Sequence, residues 1–191
     1  MIDFIPLSKE RNGFRIETED FLLLGVEQDD LDESLSSPNV QSLAGRSLLI
    51  RCLKDRNRFR EYPVYRFGPW KKPYLENYSD LFFNIGHCRE AVVCVLSEKE
   101  IGIDIEQVQA IESEVMRSVL NDEEIAAVRS ASDPNREFIR YWTLKESLLK
   151  FRGTGLAGDF NGDLKDLLSD STCRFNGYSG KNWEIAVCRN E

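Results

Sequence analysis

The chain has 191 residues, enough for one domain or two small lobes with a packed core, and 41% hydrophobic with 30% charged residues is the balance of a soluble globular protein. With 25 Lys and Arg against 33 Asp and Glu, the formal net charge of −8 argues against general nucleic-acid binding, which needs a basic footprint. No apolar run is long enough to span a membrane, Met1-Ile2-Asp3-Phe4 lacks the features of a secretory leader, and five cysteines without a C-x-x-C pair fit a reducing cytoplasm.

In chain order, Phe14-Arg15-Ile16 and Phe21 to Val26 are expected as short strands, with Asp29 to Glu33 as an acidic loop or helical turn. Ser37 as N-cap and Pro38 at the first helical position open a helix that ends near Lys54. Val40, Leu43, Ala44, Ser47 and Leu48 form its expected buried stripe, and Arg46 lies off it. The helix runs into a basic patch of Arg51, Lys54, Arg56, Arg58 and Arg60, which reads as a solvated surface or as a phosphate site. A strand at Pro63 to Phe67 precedes a loop, Gly68 to Pro73, that carries Lys71 and Lys72 and is stiffened by Pro69 and Pro73.

Leu81 to Ile85 and Ala91 to Leu96 are two strands joined through Gly86-His87-Cys88-Arg89-Glu90 as a hairpin. His87, the single histidine, is expected at the hairpin tip. Its neighbour Cys88 raises a Cys-His nucleophile pair, although nothing marks a third, orienting group.

The chain then reaches Ile101-Gly102-Ile103-Asp104-Ile105-Glu106, a strand of β-branched residues at alternate positions. Ile101, Ile103 and Ile105 face a core, so Asp104 and Glu106 share the other face. Carboxylates held that close repel unless a cation sits between them, and Mg2+ is a hard cation that prefers oxygen ligands. Gly102 leaves this face bare, so a ligand is expected to approach the backbone there. A half-exposed edge strand with two solvated acids is the plainer alternative.

Three helices are expected next: Ile111 to Leu120, one opened by the capping box Asn121-Asp122-Glu123-Glu124, and one running from Asp133-Pro134 to Gly153. The third carries Trp142-Thr143-Leu144-Lys145-Glu146-Ser147-Leu148-Leu149-Lys150. The surface neighbours of Lys145 on that helix are Tyr141, Trp142, Leu148 and Leu149, so Lys145 lies on an apolar face and either needs an anion or must snorkel its head out. The expectation is a place at a cleft edge, near Glu146 or bound phosphates. Glu146 and Lys150 alone read as a surface ion pair worth about 0.3–0.5 kcal/mol.

A Gly-rich connection from Gly153 to Gly162 follows, and Asp159 to Asp163 fails as a calcium loop because Leu164 stands where Gly is required. Strands at Cys173 to Tyr178 and Trp183 to Cys188 close the chain. A helix and strand pair ending Ala91-Val92-Val93-Cys94 is echoed by a helix and strand pair ending Ile185-Ala186-Val187-Cys188, which suggests two similar α+β lobes with the acids near their junction.

The central strand and the Trp142 to Lys150 stretch, about forty residues apart, together resemble the signature pair of the 4'-phosphopantetheinyl transferases. Gly45-Arg46, Lys72-Pro73 and Phe83-Asn84-Ile85-Gly86-His87 resemble the upstream motifs of the surfactin-synthetase-activating branch, so the likeness runs through residues 40 to 190 in order. The chain departs from that pattern at Gly86, where Ser is usual, and at Cys88, where a small or hydroxyl residue is usual; its first lobe is also short.

The resemblance implies an α+β fold of two lobes in pseudo-two-fold arrangement, residues 1–97 and 98–191, with the active site at their junction. It implies a Mg2+-dependent transfer of the phosphopantetheine arm of coenzyme A to a serine of an acyl, peptidyl or aryl carrier protein, releasing adenosine 3',5'-bisphosphate. Asp104, Glu106 and Glu146 would hold Mg2+; Arg46, Lys72, His87, Lys145 and Lys150 would contact coenzyme A; Glu146, Lys150 and Asp104 would carry the catalysis. The implied protein is a cytoplasmic monomer that binds neither nucleic acid nor membrane. Two other readings stand beside it: a Mg2+-dependent nuclease or phosphatase, and a carrier-protein or coenzyme A binding paralogue with weakened catalysis.

Overall fold

The computed structural model describes residues 3–8, 11–30, 35–154, 168 and 173–190. Their elements in order are β1 (Asp3–Ser8), β2 (Arg11–Glu17), β3 (Phe21–Glu27), α1 (Pro38–Asp55), β4 (Tyr65–Phe67), β5 (Pro73–Leu75), β6 (Phe82–His87), β7 (Ala91–Ser97), β8 (Ile101–Gln107), α2 (Ser113–Val119), α3 (Asp122–Ser130), α4 (Pro134–Arg152), β9 (Cys173–Ser179) and β10 (Trp183–Asn190). This is a mixed α+β fold, as expected. The Asp29 to Glu33 turn is a 3-10 turn at Gln28–Asp30, and its remainder lies outside the described residues. The Gly-rich connection beyond Thr154 and the rejected calcium loop also lie outside them.

Every described strand pairing is antiparallel. One sheet runs β1-β2-β3-β7-β6, a second β8-β10-β9, and β4 pairs with β5. The first two share a wiring. A strand (β3), a helix (α1) and a hairpin (β6, β7) give the order β3-β7-β6; β8, α4, β9 and β10 give β8-β10-β9. The echo between Ala91-Val92-Val93-Cys94 and Ile185-Ala186-Val187-Cys188 falls on the middle strand of each set.

Two cores follow from strand alternation. Leu22, Leu24 and Val26 of β3 pack with Leu48, Leu49, Cys52 and Leu53 of α1. The opposite faces of β3 and β7, through Leu23, Val93 and Val95, pack with Ile101, Ile103, Ile105, Ile185 and Val187, joining the two sheets. Each isoleucine of β8 is fully buried and contributes about 1.5–3 kcal/mol.

The buried stripe of α1 differs from the expected one. Leu43 is 65% exposed and Ser47 is exposed, while Gly45, Leu48, Leu49, Cys52 and Leu53 are buried. The helix seats Gly45 on Ile85, where a Cβ would come within 2.8 Å of Ile85 Cγ2, and that contact turns the helix. The basic patch is laced into surface ion pairs: Arg51 with Asp55, Arg56 with Glu17, Arg58 with Asp80 and Glu98, Arg60 with Asp80. Lys54 lies over the Phe59 ring.

The termini of α4 match their signals. Asp133 Oδ1 accepts from the Arg136 amide at 3.1 Å, and Gly153 ends the helix at φ 72. Against β8 this helix lies unusually close. A Cβ on Gly102 would overlap the Ser147 carbonyl oxygen and the Phe151 amide and come within 2.8 Å of Phe151 Cα. The bare face of Gly102 is therefore filled by helix backbone, not left open for a ligand.

Candidate active site at the seam of β8 and α4

The alternation that buries Ile101, Ile103 and Ile105 turns Gly102, Asp104 and Glu106 toward α4. Asp104 is 4% exposed. From α4, the Lys150 ammonium donates to Asp104 Oδ1 at 2.6 Å. Glu146 lies one turn before Lys150 on the same helix face. Among the described residues, Asp104 Oδ2 and Glu146 Oε1 are buried side-chain oxygens without a hydrogen-bond partner. Such atoms are costly to hide unless a donor or cation meets them.

The electrostatics bind these groups together. Burial pushes the Glu106 carboxyl up to about 7; the charges of Asp104 and Glu146 add to that rise, and Lys150 opposes it. Burial first and Asp104 second raise Glu146, again against Lys150. His87 is lowered from its ordinary value by burial and by Lys150, with Asp104 pulling the other way. His87, Asp104, Glu106, Glu146 and Lys150 thus share one field. His87 ends β6 as a strand residue, so it sits at the strand end and the turn proper is Cys88 to Glu90.

The oxygen set and the two orphan oxygens fit a hard divalent cation such as Mg2+. Among the described residues no group of three His, Cys, Asp or Glu side chains already stands in metal-holding geometry. Asp104 is turned instead to Lys150, which supplies the positive charge.

Other expected site residues lie elsewhere. Arg46 is exposed on α1, with its guanidinium 5.2 Å from the centre of the Tyr65 ring. Lys72 pairs with Glu100 and donates to the Phe151 carbonyl at 2.9 Å, placing a cation at the negative end of α4. A cavity of about 540 Å³ opens beside it, lined among others by Trp70, Tyr74, Phe83 and Arg152.

Lys145 corrects an expectation. It is 1% exposed, away from any cleft edge, and donates to Glu124 Oε2 at 2.6 Å and to the Val119 carbonyl at 3.0 Å. The need for an anion was legible in its apolar neighbours; the partner was not, because Glu124 sits on another helix. Cys88 is buried, and burial pushes its thiol up to about 11, which disfavours the reactive thiolate form.

The profile of the 4'-phosphopantetheinyl transferase superfamily matches residues 100–188. The chain is 32% identical over 113 residues to 4'-phosphopantetheinyl transferase gsp of Aneurinibacillus migulanus, covering 58% of this chain and 46% of that protein. It is 28% identical over 159 residues to 4'-phosphopantetheinyl transferase Sfp of Bacillus subtilis (strain 168), covering 74% and 70%. Against 4'-phosphopantetheinyl transferase AcpT of Salmonella typhi, identity is 32% over 155 residues, covering 76% and 74%. The match thus spans about half the length of the Aneurinibacillus relative and about three quarters of the Salmonella one.

Proposed function

The chain belongs to the 4'-phosphopantetheinyl transferase superfamily, and on that premise we propose that it transfers the phosphopantetheine arm of coenzyme A to a serine of an acyl, peptidyl or aryl carrier protein. The observation that carries the reading is the convergence of Asp104, Glu106, Glu146 and Lys150 on the seam of β8 and α4, with two buried carboxylate oxygens unpartnered among the described residues.

In this reading Asp104, Glu106 and Glu146 hold Mg2+. When bound, the ion supplies positive charge to the pyrophosphate oxygens of coenzyme A. The protein's own groups do the rest. Lys150 leaves Asp104 for the pyrophosphate and neutralises charge growing on the leaving group. Glu146 accepts the proton of the attacking serine hydroxyl, directly or through one water. The serine oxygen bonds to the phosphorus that carries pantetheine. The bond from that phosphorus to the bridging oxygen breaks, and its electron pair departs on adenosine 3',5'-bisphosphate. Phosphoryl transfer is mostly positioning and charge stabilisation, which suits a site of acids and a lysine.

Arg46, His87 and Lys72 face the phosphates and adenosine end of coenzyme A. Lys72 keeps its bond to the Phe151 carbonyl and exchanges Glu100 for a phosphate. We place the lobe boundary between residues 97 and 98, as 1–97 and 98–191. The shared strand order of the two sheets supports a pseudo-two-fold arrangement. The working protein is a cytoplasmic monomer in this reading; Cys52, Cys88 and Cys94, buried without a disulfide, support the reducing compartment.

The test is mass spectrometry of apo carrier proteins incubated with this protein, coenzyme A and Mg2+. Gain of one phosphopantetheine on the carrier serine is the expected result. Acyl, peptidyl and aryl carriers that all remain apo would overturn the reading.

A further inference from the structure

We infer that Lys145 is a positioning residue, whose buried pair with Glu124 fixes the rotation of α4 that aims Glu146 at Asp104 and Glu106. The inference rests on the metal-site reading above.

Three helices meet at the Lys145 ammonium. Glu124, which accepts from it at 2.6 Å, is the acid of the α3 capping box, and the same Oε2 accepts from the Asn121 amide at 3.0 Å. The Val119 carbonyl, 3.0 Å away, ends α2 and lies at that helix's negative pole. The stem of Lys145 springs from the middle of α4. One cation therefore ties the end of α2 and the start of α3 to α4.

Consecutive helix residues point about 100° apart. The direction in which Lys145 is held thus sets the direction of Glu146, whose Oε1 is buried. Two further ion pairs restrain α4: Arg136 with Glu184 of β10 near its start, and Lys150 with Asp104 near its end. The proposed reaction opens the second of these, because Lys150 moves to the pyrophosphate. The Lys145 pair remains closed, since separating charges out of water is costly. It holds the azimuth of Glu146 while Lys150 is away.

A merely stabilising pair makes a different forecast. Buried ion pairs can be replaced by neutral side chains with little loss of stability, provided both charges go together. The double variant K145M/E124Q removes both charges and leaves Gln to accept from the Asn121 amide. Full-length parent, K145M/E124Q and E124Q are compared by thermal melting, by Mn2+ binding without coenzyme A (electron paramagnetic resonance), and by transfer kinetics.

The expected result is a folded double variant that binds Mn2+ on the order of 10- to 100-fold more weakly. Its kcat falls, while its KM for coenzyme A stays near the parent value. Should the double variant not fold, E124Q alone is held to the same metal and kcat criteria. A folded variant with parental Mn2+ affinity and parental kcat, whatever its melting temperature, overturns the inference alone. A parent chain that binds no Mn2+ overturns the metal-site reading, and the inference with it.

Discussion

Lys150 donates to Asp104 Oδ1 at 2.6 Å across the seam of α4 and β8, so the site carries its own counter-charge. A hydrogen bond between charged groups contributes about 1.5–3 kcal/mol. A phosphate that binds Lys150 must displace that contact, and a cation on Oδ2, unpartnered among the described residues, loosens it by repelling the ammonium. The two effects help each other: a cation releases Lys150 just as a polyphosphate needs it. Metal and coenzyme A are therefore expected to bind cooperatively.

Replacing Asp104 by Asn keeps the shape and removes one charge. Asp104 is among the causes that lift Glu106 to about 7, so in Asp104→Asn that titration should fall toward the ordinary 4.5. Turnover should be lost as well. Carboxyl carbon-13 NMR of the ligand-free protein reads the first effect and a transfer assay the second. A Glu106 midpoint that stays near 7 would show that the Asp104 charge does not help to set it.

Stability should depend on pH with a defined sign. Glu106 and Glu146 both bind protons more tightly in the native state than in the unfolded chain. Between 4.5 and about 7 the native state therefore holds more protons, and ligand-free stability should fall as pH rises through that window. His87 acts the other way, because its lowered value favours the native state as pH rises. Two carboxyls against one partly exposed imidazole leave the carboxyl sign in control. Thermal melts without metal should show it; Mg2+ should reverse it, since only ionised carboxylates bind the ion. A ligand-free melting temperature that climbs across the window contradicts the assignment.

Gly102→Ala places a methyl against the Ser147 carbonyl and the Phe151 amide. Backbone cannot rotate aside as a side chain can, so α4 must lift. The expected cost is about 1–3 kcal/mol, the range for overpacking a tight contact. The same shift moves Glu146 and Lys150 away from Asp104, and misplacement by about 1 Å can cost on the order of 100-fold in rate. Denaturant unfolding beside a transfer assay measures both. A variant that keeps parental stability would mean that the helix contact is soft.

His87→Ala should raise the apparent KM for coenzyme A more than it lowers kcat, and should leave carrier saturation unchanged. The position of His87 at the strand end, in the field of Lys150 and Asp104, motivates this. Loss confined to carrier binding would move the residue from the nucleotide to the carrier.

Much of this site was legible because period-2 and period-3.6 patterns report faces. The isoleucines of β8 announced their core, and Asp104 and Glu106 had to share the remaining face. Asp133-Pro134 and Gly153 marked both ends of α4. Patterns do not report which element covers a face. Gly102 looked open because nothing local reveals that α4 lies on it. Lys145 needed either an anion or a route to solvent, and its partner was hidden because Glu124 belongs to a different helix and already served a capping box. Lys72 looked free for phosphate because Glu100 and the Phe151 carbonyl reach it only through the fold. On α1, the contact of Gly45 with Ile85 shifted the buried stripe away from Leu43, which no helical wheel foresees.

The shared wiring of the two sheets carries a division of labour. In the first set, the seam between α1 and β3 is filled by Leu22, Leu24 and Val26 against Leu48, Leu49 and Cys52, and it is apolar. In the second, the matching seam between α4 and β8 holds two acids of the strand against Glu146 and Lys150. One scaffold is thus used twice with opposite contents. The apolar seam lends rigidity that the charged one cannot generate for itself. Substitutions in the first seam would then register as lost abundance of folded protein, and substitutions of the acids and the lysine of the second as lost chemistry in a protein that is still made and still folds.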